Sequence, residues 1–418
     1  MESAAHAEDD MAHSKPVIWG AALAAVLLAS TAQAKTLTVA AGPDAQERLQ
    51  TALLDAKPGD VVSLGAGTFD FTDGLSLDVA NVTVAGAGQG KTILSFAGQK
   101  SAGEGLLVTS DGVTIRELTM QDTKGDGVKS KGADRISFVA LTVEWTGGPK
   151  ETNGAYGVYP VASTNVLIDK VTVRGASDAG IYVGQSKNII VRNSRAEFNV
   201  AGIEIENSTD ADVHDNVATH NTGGILVFDL PGLPVMGGHS TRIYRNQVVD
   251  NDTANFAPKG NIVAAVPMGV GVMLMANRDV HVFENDISGN QTSAVMLIAF
   301  SRSFDDKAYN PLPRDIVVRD NKLGRNGWLP SLPGGKMLAQ AMGGSVPPVL
   351  WDGITSYPGI EGPAPRLYLK DGPVLNLNLA KPGEVETAKP SVTPTLGTPG
   401  LPERAAVVLP ASQDKPAS

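Results

Sequence analysis

The chain has 418 residues, a formal net charge of −10 and a pI near 5.1, a balance that argues against nucleic acid as a partner. Aromatic residues make up only 5% while glycine numbers 46, a composition of short strands and tight turns rather than of long helices. With no cysteine, no disulfide helps the fold.

Residues 1–34 read as a leader. From Met11 the segment offers Lys15, an apolar stretch from Val17 to Leu28 and the small-residue end Ala32-Gln33-Ala34. That stretch is shorter than the roughly 20 residues a bilayer span needs, so it predicts export with cleavage after Ala34 rather than an anchor. The residues before Met11 include Glu2, Glu8, Asp9 and Asp10, unlike the basic start of such a signal. A periplasmic or secreted protein with no remaining membrane span is the expectation.

The next segment, from Asp44, predicts a short helix that caps the first strands. Asp44 stands at the N-cap with Glu47 three residues on, and Leu49, Ala52, Leu53 and Ala56 form one apolar stripe. Pro58-Gly59 ends it before a strand over Val61–Leu64. A cap there would shield the open edge of a sheet.

A repeat then begins. Glycine followed by Ile or Val opens strands at Gly127, Gly157, Gly180, Gly202, Gly224 and Gly271, and Ala294-Val295 continues the series. Gly180, Gly202 and Gly224 stand 22 residues apart in turn. A second ladder runs through VTIRE (Val113), ISFVA (Ile136), VLIDK (Val166), IIVRN (Ile189), ADVHD (Ala211), TRIYR (Thr241), VHVFE (Val280) and IVVRD (Ile316). Short alternating strands at a fixed interval make a solenoid with one strand set per coil. Asparagines pair five apart as Asn216/Asn221, Asn246/Asn251, Asn285/Asn290 and Asn321/Asn326, with Asn193/Asn199 one residue looser. Amides stacked at coil turns can bond along the axis. The solenoid is read over residues 35–326, residues 327–380 as strands covering its far end, and residues 381–418 as a disordered proline-rich tail.

These features resemble the right-handed parallel β-helix of the pectate-lyase-like superfamily, over Lys35 to Asn326. The resemblance implies an all-β fold: one right-handed parallel β-helix with a short N-terminal capping helix. The segment YGVYPV, Tyr156 to Val161, is similar to the Tyr-Gly-x-Asp-Pro-His signature of mannuronan C5-epimerases. Tyr159 and Val161 replace its aspartate and histidine, which leaves Tyr156 as the group that keeps its chemistry.

Alternation decides which side chains leave the core. Ile181/Val183, Ile203/Ile205 and Ile225/Val227 point inward. The outward column then reads Lys129/Lys131, Tyr159, Tyr182, Glu204/Glu206, Leu226/Phe228, Met273/Met275 and Met296/Ile298. Its first half gathers cations, rings and carboxylates; its second is apolar and is expected to meet a loop, the C-terminal strands or a protein partner. Insertions after Glu144 and between Phe228 and Gly271 would wall the column into a groove.

The candidate catalytic groups are Lys129, Lys131, Tyr156, Tyr182, Glu204 and Glu206. Trp145, Lys150, Tyr159, Asp178 and Asp229 are candidates for binding substrate. Tyrosine or lysine can abstract a proton beside a carboxylate once burial or a neighbouring cation lowers its pKa. Asp178, Glu204, Glu206 and Asp229 fall on consecutive coils and could bind Ca²⁺ or act as a hydrolytic acid–base pair. No other cofactor is expected, and His214, His220, His239 and His281 show no metal-ligand spacing. The expected function is that of an exported polysaccharide-active protein, a lyase or epimerase-like enzyme on a uronate-containing glycan. The alternative is a non-catalytic periplasmic β-helix repeat protein acting as binding scaffold or accessory subunit.

Overall fold

A computed structural model describes residues 34–101, 103–361, 364–397 and 401–413. The leader read over residues 1–34 lies, except for Ala34, outside the described residues. Among those that are described, no helix is long and apolar enough to cross a membrane.

Helix Ala45–Asp55 comes where its apolar stripe predicts, with Leu49 and Leu53 buried. Its start differs from expectation. Asp44 sits in the left-handed region at φ 56° and makes no side-chain capping bond, so burial of the stripe holds the helix in place. The strand Val61–Leu64 comes next and pairs in parallel with Thr36–Val39.

From there the chain winds as a solenoid in which each strand pairs with its counterpart one coil on. The glycine-led series forms strands Val128–Lys131, Tyr156–Val161, Ala179–Gly184, Ala201–Glu206, Gly223–Phe228, Val270–Met275 and Ser293–Ile298. They stack in that order in one parallel sheet. The second ladder forms the strands of the opposite wall, for example Thr164–Asp169, Lys187–Arg192 and Thr209–His214. Ile181, Ile203, Ile225 and Val272 are opposite one another in register and wholly buried, as are Val166 and Ile189 in the facing wall. Val and Ile suit this core because β-branched chains fill a pleated surface without losing much rotamer freedom.

Each coil turns through a residue in the left-handed region, a conformation Asn and Asp accept more readily than most. Asp215, Asp250 and Asp320 occupy it at φ 55°, 53° and 56°, and each is followed at once by a ladder asparagine. Those asparagines bond amide to amide from coil to coil: Asn216 Nδ2 donates to Asn246 Oδ1 at 3.0 Å, Asn246 to Asn285 at 2.9 Å, and Asn285 to Asn321 at 2.8 Å. The looser pair also finds its explanation. Asn193 is the left-handed residue at φ 50°, and Ser194 takes the rung, its amide donating to Asn216 Oδ1 at 2.9 Å.

Pairing continues past Asn326. Val349–Trp351 pairs in parallel with Ser293–Ile298, Leu367–Leu369 with Arg314–Arg319, and Val374–Asn376 with Val349–Trp351. The tail expected to be disordered instead touches the solenoid at several points among its described residues. Ser391–Thr393 adds an antiparallel strand to Val374–Asn376. Residues 401–413 then run back along the wall built by the second ladder. Glu403 meets Arg319 at 2.8 Å, Arg404 meets Asp279 at 2.5 Å, and the Val407 amide donates to Asp212 at 3.1 Å. Leu409 is buried against Leu167 and Ile190. A composition too poor to build its own core suffices when the solenoid already offers slots and partners.

Candidate active site

The parallel register carries outward side chains onto successive coils. Tyr159 lies opposite Lys129, Tyr182 opposite Glu204, and Gly184 opposite Glu206. Glu204 and Glu206 in turn face Leu226 and Phe228, where the column becomes apolar.

Tyr156, Tyr159 and Tyr182 gather into one cluster, with ring centroids 4.4–4.9 Å apart. Lys129 caps it, its ammonium 4.6 Å from the Tyr159 ring centre. The same ammonium pairs with Glu104 at 3.0 Å and Asp126 at 3.5 Å. At the other end, the Tyr182 hydroxyl donates to Glu206 Oε1 at 2.7 Å. Gly184 makes this possible. A Cβ there would stand 2.5 Å from the Tyr182 ring and hydroxyl, so only glycine leaves the ring room to lie across the next position.

Three carboxyls sit behind the rings. Asp178, Glu204 and Glu206 are all buried, Glu204 to 1% exposure. Glu204 Oε2 has no hydrogen-bond partner. Desolvation dominates each, and neighbouring carboxylates add to it, so ionisation is held back. Asp178 is pushed up to about 7 against bonds from Asn261 and Tyr156. Glu206 is also raised to about 7 by burial, opposed by the Tyr182 bond. Glu204 is raised well above the usual carboxylate range by burial and by Asp178 and Glu206. Such groups hold protons at neutral pH and can donate them.

The tyrosines behave oppositely to expectation. Burial and the surrounding carboxylates push Tyr156 and Tyr182 far up, so both stay protonated. Lys129 is raised by its bond to Glu104 and by Asp126, although burial opposes it. None of the three is poised as a base.

Other expected site residues go elsewhere. Trp145 is not a stacking platform: it is buried in the solenoid core, and its Nε1 donates to the Thr123 carbonyl at 2.7 Å. Asp229 accepts the Gly237 and Gly238 amides at 2.9 and 2.8 Å, so it ties back the loop after Phe228 rather than facing substrate. Lys131 and Lys150 are exposed, and neither forms an ion pair among the described residues. The apolar half expected to receive a protein partner is covered by the chain itself. Leu226, Phe228, Met273 and Met296 are buried under Val263, Val266, Phe300 and Leu377.

Sequence reasoning missed Glu104, Asp126 and Asn261. Asp126 was within reach: Val128 pairs with Val158, so Asp126 holds the Tyr156 position one coil earlier. Asn261 carried no signal, because it belongs to an irregular loop 83 residues from Asp178, to which its Nδ2 donates at 3.0 Å. Among the described residues, no group of three or more His, Asp or Glu is placed to hold a metal ion.

A family profile described as "Right handed beta helix region" matches residues 82–232. The A-module of the mannuronan C-5 epimerase AlgE6 from Azotobacter vinelandii superposes with a TM-score of 0.56 at 17% identity, over 80% of this chain and 84% of that one. The chain is a right-handed parallel β-helix. The AlgE4 A-module of the same organism matches at 15% identity and TM-score 0.38, over 69% of this chain and 95% of its own. An alginate lyase from Paenibacillus sp. str. FPU-7 matches at 16% identity and TM-score 0.35, over 60% of this chain and 94% of its own. No curated protein matches by sequence. At these identities the likeness is one of fold.

Proposed function

We propose that this β-helix acts on a polysaccharide, with Asp178, Glu204 and Glu206 as its proton-transferring groups. The observation that carries the reading is Glu204 Oε2, buried and unpartnered beside Asp178 and Glu206 on the outward face of the solenoid. A protein gains no stability from a carboxyl left that way, whereas a general acid at neutral pH needs it. Tyr156 and Tyr182 then donate hydrogen bonds, and Tyr159 offers a ring for a sugar face. The lyase or epimerase-like chemistry expected of tyrosine or lysine passes to the carboxyls, one protonated as acid and another ionised as base. Exposed Lys131 and Lys150 are the cations left to meet a uronate, and the leader supports a place of work outside the cytoplasm.

Turnover of a panel of uronate and neutral glycans, followed by ultraviolet absorbance, new reducing ends and proton exchange at C5, tests this. Glu204→Gln should lower turnover by roughly 10²-fold or more. Wild-type turnover unchanged in Glu204→Gln would refute the assignment. A chelator arm reads whether calcium contributes. One observation favours the non-catalytic scaffold as second reading: the carboxyls are closed over, with Asn261 bonded to Asp178, so substrate must displace that loop. Glycan binding without turnover by the wild type would select the scaffold.

A further inference from the structure

Farther along the same sheet, past the carboxyls, lies an apolar cavity of about 190 Å³. Met273, Met275 and Met296 form its floor on two successive coils, and Val266, Phe300 and Leu379 close over them. It is larger than an apolar cavity of ~150 Å³ that stays dry and admits benzene. Methionine suits such a wall because its flexible, polarisable chain reshapes around whatever enters.

Polar groups at the cavity divide sharply. Asp352, the acidic residue in the wall, has both oxygens engaged, by the Ala299 amide at 2.6 Å and the Ile354 amide at 3.0 Å. Those two amides fix it as part of the wall. Arg302 is different. It is exposed at the rim, and its guanidinium donates to the carbonyls of Gly260 at 3.0 Å and Asn261 at 2.7 Å. Among the described residues it pairs with no carboxylate, so its positive charge is uncompensated. A second cleft shares Phe300, Ser301 and Arg302 with the cavity and brings in Lys381, which is already paired with Glu384 at 3.3 Å. An apolar sac with the Arg302 guanidinium at its rim complements a molecule with an apolar body and a single anionic head.

We propose that this cavity binds a small monoanionic amphiphile, of the class of a medium-chain carboxylate, with its chain among the methionines and its head at Arg302. The proposal does not rest on the polysaccharide reading, although the two sites share a loop: Asn261 donates to Asp178 through its side chain and accepts from Arg302 through its carbonyl.

Decanoate, with decanol as the uncharged control, is the probe, and the full chain is titrated by calorimetry. Methyl-labelled methionine spectra report location without any substitution. The expected result is saturable 1:1 binding of decanoate with shifts of the Met273, Met275 and Met296 methyl signals. Arg302→Gln should weaken decanoate by roughly threefold to fivefold and leave decanol unchanged, the scale of one exposed charge pair. Arg302→Lys should restore the preference, which separates charge from the bonds that Arg302 gives to the loop. No binding of decanoate, or binding that leaves the three methyl signals in place, would overturn the site. Equal loss of decanoate and decanol in Arg302→Gln, or no loss of either, would overturn the role of the head group.

Discussion

Asp178→Asn puts the electrostatics of the carboxyl cluster to a direct test. Asp178 ionises near 3.9 in an unfolded chain, but burial and Glu206 push it up to about 7 in the fold. Between about pH 4 and about pH 7 the native state therefore keeps a proton that the unfolded state has lost. Stability falls as pH rises through that window, and the full cost is felt above it. Three units at about 1.4 kcal/mol each set an upper figure of about 4 kcal/mol, and sharing the proton with Glu204 and Glu206 reduces it to about 2–4 kcal/mol. The asparagine amide can still accept from Asn261 and can donate to Tyr156, so the variant removes charge while keeping shape. Urea unfolding of parent and variant at matched pH values from 5 to 8 gives the answer, because titrating groups away from the cluster largely cancel in the difference. Asp178→Asn should be about as stable as the parent at pH 5 and more stable by roughly 2 kcal/mol or more at pH 8. A parent–variant difference that does not change with pH would refute the reasoning. Stability gained by losing the charge would also mark the cluster as one kept for a purpose other than folding.

Truncation after Ala380 should lower the melting temperature by several degrees, because it removes the strand Ser391–Thr393 and uncovers Leu167 and Ile190. An unchanged melting curve would show that the tail packs on the solenoid without stabilising it. Gly184→Ala should drive the Tyr182 ring off Glu206 and, with that bond gone, raise the Glu206 pKa further. Its pH–rate profile should move to the alkaline side of the parent's, and an unmoved profile would mean that Tyr182 does not tune the acid.

Much of the fold was legible in the chain, for a physical reason. Period-2 alternation and the 22-residue step are direct consequences of how coils stack, so the inward Ile181, Ile203 and Ile225 and the outward Tyr182 and Glu204 could be read as letters. What failed is what the repeat does not encode. Trp145 sits just past a strand, where alternation no longer says which way a side chain points, and it turned inward. The direction of the tyrosine pKa shifts depends on Asp178 and Glu206 arriving from neighbouring coils and on a loop that excludes water above them. Leu409 and Val407 look like isolated apolar residues among prolines, and only the finished wall reveals that each has a slot.

The inner asparagine ladder separates chain length from molecular length. Successive rungs from Asn199 to Asn221, Asn251, Asn290 and Asn326 are 22, 30, 39 and 36 residues apart in sequence, yet the amide bonds between them stay at 3.0–3.1 Å. A coil can therefore lengthen its step from 22 to 39 residues and return to the same anchor, with the bond between rungs unaltered. Groove walls become exchangeable parts: the loop between Phe228 and His239 could be swapped for one of another length without resetting any coil beyond it. Selection, or a protein engineer, can change what this surface grips one turn at a time.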